Sequence, residues 1–105
     1  MALEINEKNV DETLESKKVT VLDFWAEWCG PCRVLGPIID DLANDNLDKD
    51  VSIGKVNVDG SRDLAIKYGV RGIPTVIIFK DGKEESRNVG IMSKDSYQKI
   101  INDLL

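Results

Sequence analysis

The chain has 105 residues, a net charge of −5, with 14 Lys and Arg against 19 Asp and Glu, and no histidine. That length predicts one domain, folding to about 5,900 Å² of accessible surface, and an apolar fraction of 42% is enough for a core without staples. The acidic balance argues against nucleic acid or an anionic lipid surface as partner, and the missing imidazole excludes His-activated nucleophiles, His metal ligands and haem attachment.

In chain order, Leu3 and Ile5 predict a short edge strand, and Asn6 is a candidate N-cap for a helix over 7–16 carrying Val10 and Leu14 on one face. Val19 to Trp25 is a β-branched and aromatic run suited to a strand buried on both faces. From Cys32 the period changes: Val34, Ile38 and Leu42 repeat every four, as do Leu35, Ile39 and Ala43, predicting a helix that ends near Asn46. Pro37 inside it predicts a kink, eased by Gly36. Val51 to Val58 reads as a strand, and Ser61 or Arg62 opens a short helix with Leu64, Ala65 and Tyr68, stopped by Gly69. Thr75 to Lys80 is a strand, and Asp81-Gly82 predicts a hairpin pairing it with a segment near Glu84 to Val89. Ser93 caps a last helix striped by Tyr97, Ile100, Ile101, Leu104 and Leu105. The order predicts an α/β fold: parallel first strands, antiparallel hairpin strands, and helices on both faces of a mixed sheet.

Met1-Ala2-Leu3-Glu4 lacks the basic stretch and apolar run of a secretion signal, and the most apolar segment, Ile73 to Phe79, is far short of the ~20 residues of a membrane span. The expectation is a cytoplasmic protein with no membrane partner, in a compartment where a disulfide is transient and catalytic.

The only cysteines stand in Trp28-Cys29-Gly30-Pro31-Cys32, where a strand gives way to a helix. Residues at i and i+3 of a helix share a face, about 5–6 Å apart at Cβ, so a small adjustment closes a disulfide. Pro31 suits a first helical turn, and the helix N–H groups and dipole favour thiolate at Cys29. Cys29 is then the attacking thiol and Cys32 the resolving one. A structural disulfide closing so short a loop gains only about 2 kcal/mol. Zinc needs four ligands, and two cysteines with no histidine supply half. Two inert buried cysteines fit a Cys-Gly-Pro-Cys turn poorly. The redox reading is the strongest of the four.

The octet Trp25-Ala26-Glu27-Trp28-Cys29-Gly30-Pro31-Cys32 resembles the active-site signature of the thioredoxin family at all eight positions. Asp23, Phe24, Pro37, Lys55, Asp59, Tyr68-Gly69-Val70, Gly72-Ile73-Pro74-Thr75, Phe79, Gly82 and Gly90 fall at the family's spacings, so the resemblance spans the chain. It implies a central mixed five-stranded sheet with four helices on both faces, and a monomeric protein-disulfide reductase without a bound cofactor or metal. Electrons would come from NADPH through thioredoxin reductase. Ribonucleotide reductase, methionine sulfoxide reductase and peroxiredoxins are the implied targets. An oxidant or isomerase of the same fold usually has His before the second cysteine, where this chain has Pro31. A scaffold subunit using the same fold is the alternative outside redox chemistry.

Asp23 sits in an apolar run. A lone strand aspartate is ordinarily solvated, but its neighbours leave no polar face, and Lys55 occupies a similar run. If the strands adjoin, a buried Asp23–Lys55 pair is expected beneath the cysteines. The resemblance makes Asp23 the acid/base that takes the Cys32 proton. An X–Pro bond is ordinarily trans; the resemblance implies that Ile73-Pro74 is cis, faces the cysteines, and offers the Ile73 backbone to an extended target segment. Trp25 suits the core, whereas Trp28 is expected with Gly30, Pro31, Ile73, Gly90 and Ile91 in an exposed docking patch. Arg33 stands where the family commonly has Lys, Gly36 where a better helix former is usual, and Ile91 where Ala is frequent.

Overall fold

The computed structural model describes residues 1–105. The elements are β1 (Leu3–Glu4), α1 (Val10–Ser16), β2 (Val19–Trp25), α2 (Gly30–Asp45), β3 (Val51–Asn57), α3 (Arg62–Lys67), β4 (Thr75–Lys80), β5 (Lys83–Val89) and α4 (Lys94–Leu104). The five strands form one sheet in the order β1-β3-β2-β4-β5. β1, β3 and β2 run parallel, and β4 and β5 are antiparallel. This is the mixed sheet with four helices that the sequence predicts, and the total accessible surface, 5883 Å², matches its length.

The period of two along the strands assigns the layers. Val19 and Val21 of β2, Val51 and Ile53 of β3, and Val76 and Ile78 of β4 pack with Leu35, Ile39 and Leu42 of α2 and Tyr97 and Ile101 of α4. Leu22, Phe24, Val56, Ile77 and Phe79 face the other way, against Val10 of α1 and Leu64 of α3. Every residue of β2 except Trp25 is buried, which is why that strand reads as a continuous apolar run instead of an alternation. Each fully buried Leu, Ile or Phe here contributes about 1.5–3 kcal/mol.

The hairpin has the backbone its sequence demands. Asp81 and Gly82 both have positive φ, 50° and 79°, as a two-residue turn matched to strand twist requires. A register shift follows at Ile78/Phe79. Gly69, at φ 65°, ends α3.

Two expectations are corrected. α1 starts at Val10, not near residue 7, and its N-cap is Asn9. The Asn6 side chain instead accepts the Lys8 N–H at 2.8 Å, and Asn9 Oδ1 accepts the Asn6 N–H at 2.9 Å, so the local side chains stabilise a turn that delays the helix. α2 starts at Gly30, with Pro31 in its first turn as the sequence predicts. It runs unbroken through Pro37 to Asp45. Trp25 is half-buried rather than a core residue.

Candidate active site

β2 delivers the chain to the site. After Trp25 a short loop leads to Cys29, which is the N-cap of α2, with extended φ/ψ of −93° and 112°. Its sulfur takes the place that a Ser or Asp oxygen usually fills, accepting the Cys32 N–H at 3.2 Å. Gly30 and Pro31 occupy the first helical positions, where the missing proline N–H loses no bond. Cys29 and Cys32 are joined as a disulfide, with Cα atoms 5.2 Å apart. Both are buried, packed with Ala26 and against Trp25, Val58 and Ile73.

The rim around the pair comes from three separate segments. Trp28 is 71% exposed and its indole N–H donates to Asp59 Oδ2 at 2.9 Å. Ile73-Pro74 is cis, and the Ile73 carbonyl oxygen lies 3.8 Å from Cys29 Sγ. Gly90, at φ 101°, donates its N–H to the Pro74 carbonyl at 2.8 Å, bringing the end of β5 beside the cis-proline. Ile91 beyond it is 44% exposed. Gly30 and Pro31 are exposed, and a Cβ added at Gly30 would meet nothing within 4 Å. Trp28 and Ile73 also line a groove of about 450 Å³ with Val58, Ile66 and Val70 from α3 and its flanks.

Asp23 is fully buried, and neither carboxylate oxygen has a hydrogen-bond partner. Its place in the period, after Val19 and Val21, puts it on the face covered by α2, whose first turn carries Cys32. Its pKa is pushed up to about 7, chiefly by burial; the Lys55 charge opposes the rise and the Asp40 charge adds to it. Asp23 and Lys55 are register partners on β2 and β3, so the strands do adjoin. The expected ion pair between them is corrected, however. Lys55 Nζ lies 3.1 Å from Asp40 Oδ2 on α2 and makes no bond to Asp23, because the part-exposed Asp40 offers a better-solvated partner.

Two residues were not singled out as site residues from the sequence. Asp40 had a signal: it follows Cys32 and Gly36 at intervals of four, on one face of α2. Asp59 stands at a family spacing, but its bond to Trp28 is set by the loop after β3, which no periodicity reveals. No group of three or more His, Cys, Asp or Glu side chains is placed to hold a metal ion, and no helix is long and apolar enough to cross a membrane.

Comparison with known proteins gives one consistent result. A family model described as Thioredoxin matches residues 1–103. The thioredoxin of Rickettsia bellii (strain RML369-C) is 41% identical over 104 residues, covering 98% of both chains. That of Chlorobaculum thiosulfatiphilum is 45% identical over 101 residues, covering 95% of this chain and 93% of its own. Among solved structures, a mutant thioredoxin from Halobacterium salinarum NRC-1 superposes with a TM-score of 0.89 at 34% identity, over 98% of this chain and 89% of that one.

Proposed function

The chain belongs to the thioredoxin family, a family of thiol–disulfide oxidoreductases, and from that membership we propose a complete cycle for its Cys29–Cys32 pair. The observation that carries it is the position of Cys29, which caps α2 and takes a backbone N–H on its sulfur. In the reduced protein that bond and the helix N-terminus stabilise a thiolate there. The Cys29 thiolate attacks one sulfur of a target disulfide, forming a mixed disulfide and expelling the other target sulfur as a thiolate. Cys32 then passes its proton to the Asp23 carboxylate. Its thiolate attacks Cys29 Sγ, the second target sulfur leaves with the bonding pair, and the Cys29–Cys32 disulfide results. The target gains two electrons, and the pair loses two.

A base with a pKa near neutrality suits this proton transfer at physiological pH. A water-excluded carboxylate at about 7 meets that requirement, where an ordinary aspartate would be too weak a base. The docking surface is Trp28, Gly30, Pro31, Ile73, Pro74, Gly90 and Ile91. The Ile73 N–H makes no hydrogen bond within the chain, which supports its pairing with an extended target segment. Backbone pairing of this kind is indifferent to target side chains, as a reductase with many protein targets needs. Ribonucleotide reductase, methionine sulfoxide reductase and peroxiredoxins are the targets proposed. A flavoprotein thioredoxin reductase, drawing on NADPH, returns the two electrons, and the protein works as a cytoplasmic monomer of one domain.

Insulin reduction with dithiothreitol tests the cycle. Wild type should speed precipitation of the insulin B chain, and Cys29→Ser should reduce the rate to that of dithiothreitol alone. Full activity in Cys29→Ser would overturn the assignment.

A further inference from the structure

The one cation matched to the buried carboxylate in the sheet is bonded elsewhere. Asp23 and Lys55 are register partners on neighbouring parallel strands. Each continues the alternation of core residues, Val19 and Val21 before one and Val51 and Ile53 before the other, so both rise on the face beneath α2 and α4. Strands lie about 4.8 Å apart, well within the reach of a lysine stem. Yet both Asp23 oxygens lack a partner, while Lys55 Nζ sits 3.1 Å from Asp40 Oδ2.

The surroundings hold the ammonium there. A Cβ at Gly36 would stand 3.6 Å from Nζ, so the amine lies across the bare backbone of α2. Asp40 is itself fixed: its Oδ1 accepts the Ala2 N–H at 3.1 Å. A pocket of about 220 Å³, lined by Met1, Ala2, Trp25, Asp40, Lys55 and Asn57, opens the pair to solvent. Asp40 keeps its pKa below the usual value although burial works against it, because the Ala2 and Lys55 bonds and the Lys55 charge outweigh that burial. It is therefore an anion at neutral pH and a standing competitor for Lys55.

Few other groups bear on Asp23. α2 contributes Cys32 and Asp40. α4 contributes Tyr97, whose hydroxyl accepts the Met92 N–H and whose pKa is raised by burial and, less, by the Asp23 charge. β4 presents Val76 at the paired position. Lys55, from β3, is the only cation among them.

We propose that Asp40 is a positioning residue for the resolving step: it draws the Lys55 ammonium toward solvent, leaves Asp23 without a counter-ion, and so sets how readily Asp23 takes the Cys32 proton. This rests on the proton-transfer role given to Asp23 above. A cation released onto Asp23 would stabilise its charged form and weaken it as a base.

The test is a carboxyl-carbon NMR titration of Asp23 in the reduced protein, alongside the pH profile of disulfide reduction, for wild type, Asp40→Asn, Lys55→Met and the double variant. Asp40→Asn should lower the Asp23 midpoint by about 1 pH unit, the low end of what a nearby opposite charge does. The pH profile should move the same way. Asp40→Glu should restore both. In the Lys55→Met background, Asp40→Asn should have a clearly smaller effect, since only loss of the direct Asp40 charge remains. An unmoved midpoint in Asp40→Asn, or an equal shift with and without Lys55, would overturn the proposal. A midpoint that moves as expected with a stationary pH profile supports the positioning and removes the base role of Asp23 instead.

Discussion

In the proposed cycle Cys29 has two duties, and both follow from where the helix begins. As N-cap it closes one of the open N–H groups of α2; as a nucleophile it uses the same bond to hold charge on sulfur. Cys32 lies three residues into the helix, donates that N–H, and has no such bond to its own sulfur. In the reduced protein at neutral pH, limiting iodoacetamide should therefore label Cys29 before Cys32, by roughly tenfold if the cap stabilises the thiolate by about 1.4 kcal/mol. Peptide mapping that finds Cys32 labelled first would reverse the roles. The pair was legible because Cys-Gly-Pro-Cys at a strand–helix junction defines a proline-compatible turn and an i,i+3 pair in four letters. The partner of Lys55 was not. A strand lysine beside a strand aspartate looks like a pair in sequence, and only the path of the side chain over Gly36 to Asp40 shows otherwise.

At the scale of elements, the central strands were readable as short β-branched, apolar runs between turn signals, and α2 and α4 by their helical spacing. The ends were less so. The cap falls on Asn9 and not on Asn6, because the two side chains fold the intervening residues into a turn. β1 is only two residues long, yet it packs closely on β3. The reason is Gly54, where a Cβ would overlap the Ile5 side chain and stand 3.2 Å from the Leu3 carbonyl oxygen. Ile5 itself is 3% exposed, so it has little room to yield. Gly54→Ala should lower stability by about 1–3 kcal/mol, the usual result of overpacking a filled core. Urea unfolding measures it, and a midpoint equal to wild type would show that β1 can shift outward freely.

For the molecule as a whole, Asp23 couples the site to stability. Its pKa is raised from 3.8 to about 7, so between those values the native state binds a proton that the unfolded chain has released. Stability must then fall as pH rises through that window. The contribution is fully present below pH 3.8 and lost above about 7, a difference of about 4 kcal/mol. Asp23→Ala removes the buried charge. It should make the protein about 2 kcal/mol more stable at pH 8, after allowance for the small void left, and flatten this part of the pH dependence. The same variant should turn over disulfide substrates more slowly, because in the proposed cycle Cys32 then loses its proton acceptor. Urea unfolding from pH 4 to 8 and steady-state reduction measure the two effects; a less stable variant with full activity would contradict both the burial cost and the proton role.

The sequence by itself determined the layers, the hairpin and the reactive pair. Those depend on local rules: the period of two or 3.6, the positive φ of Asp81-Gly82, and the i,i+3 geometry of a first helical turn. It also showed Asp23 to be anomalous, since a carboxylate amid Val21, Leu22, Phe24 and Trp25 has no polar face to occupy. Only the tertiary structure decided which charges that carboxylate meets. Register makes Lys55 its neighbour on β3, the α2 face makes Asp40 the competitor, and the Ala2 N–H fixes that competitor from the other end of the chain. These contacts join residues far apart in sequence, and their balance depends on desolvation and on the course of a flexible side chain, neither of which has a period to read.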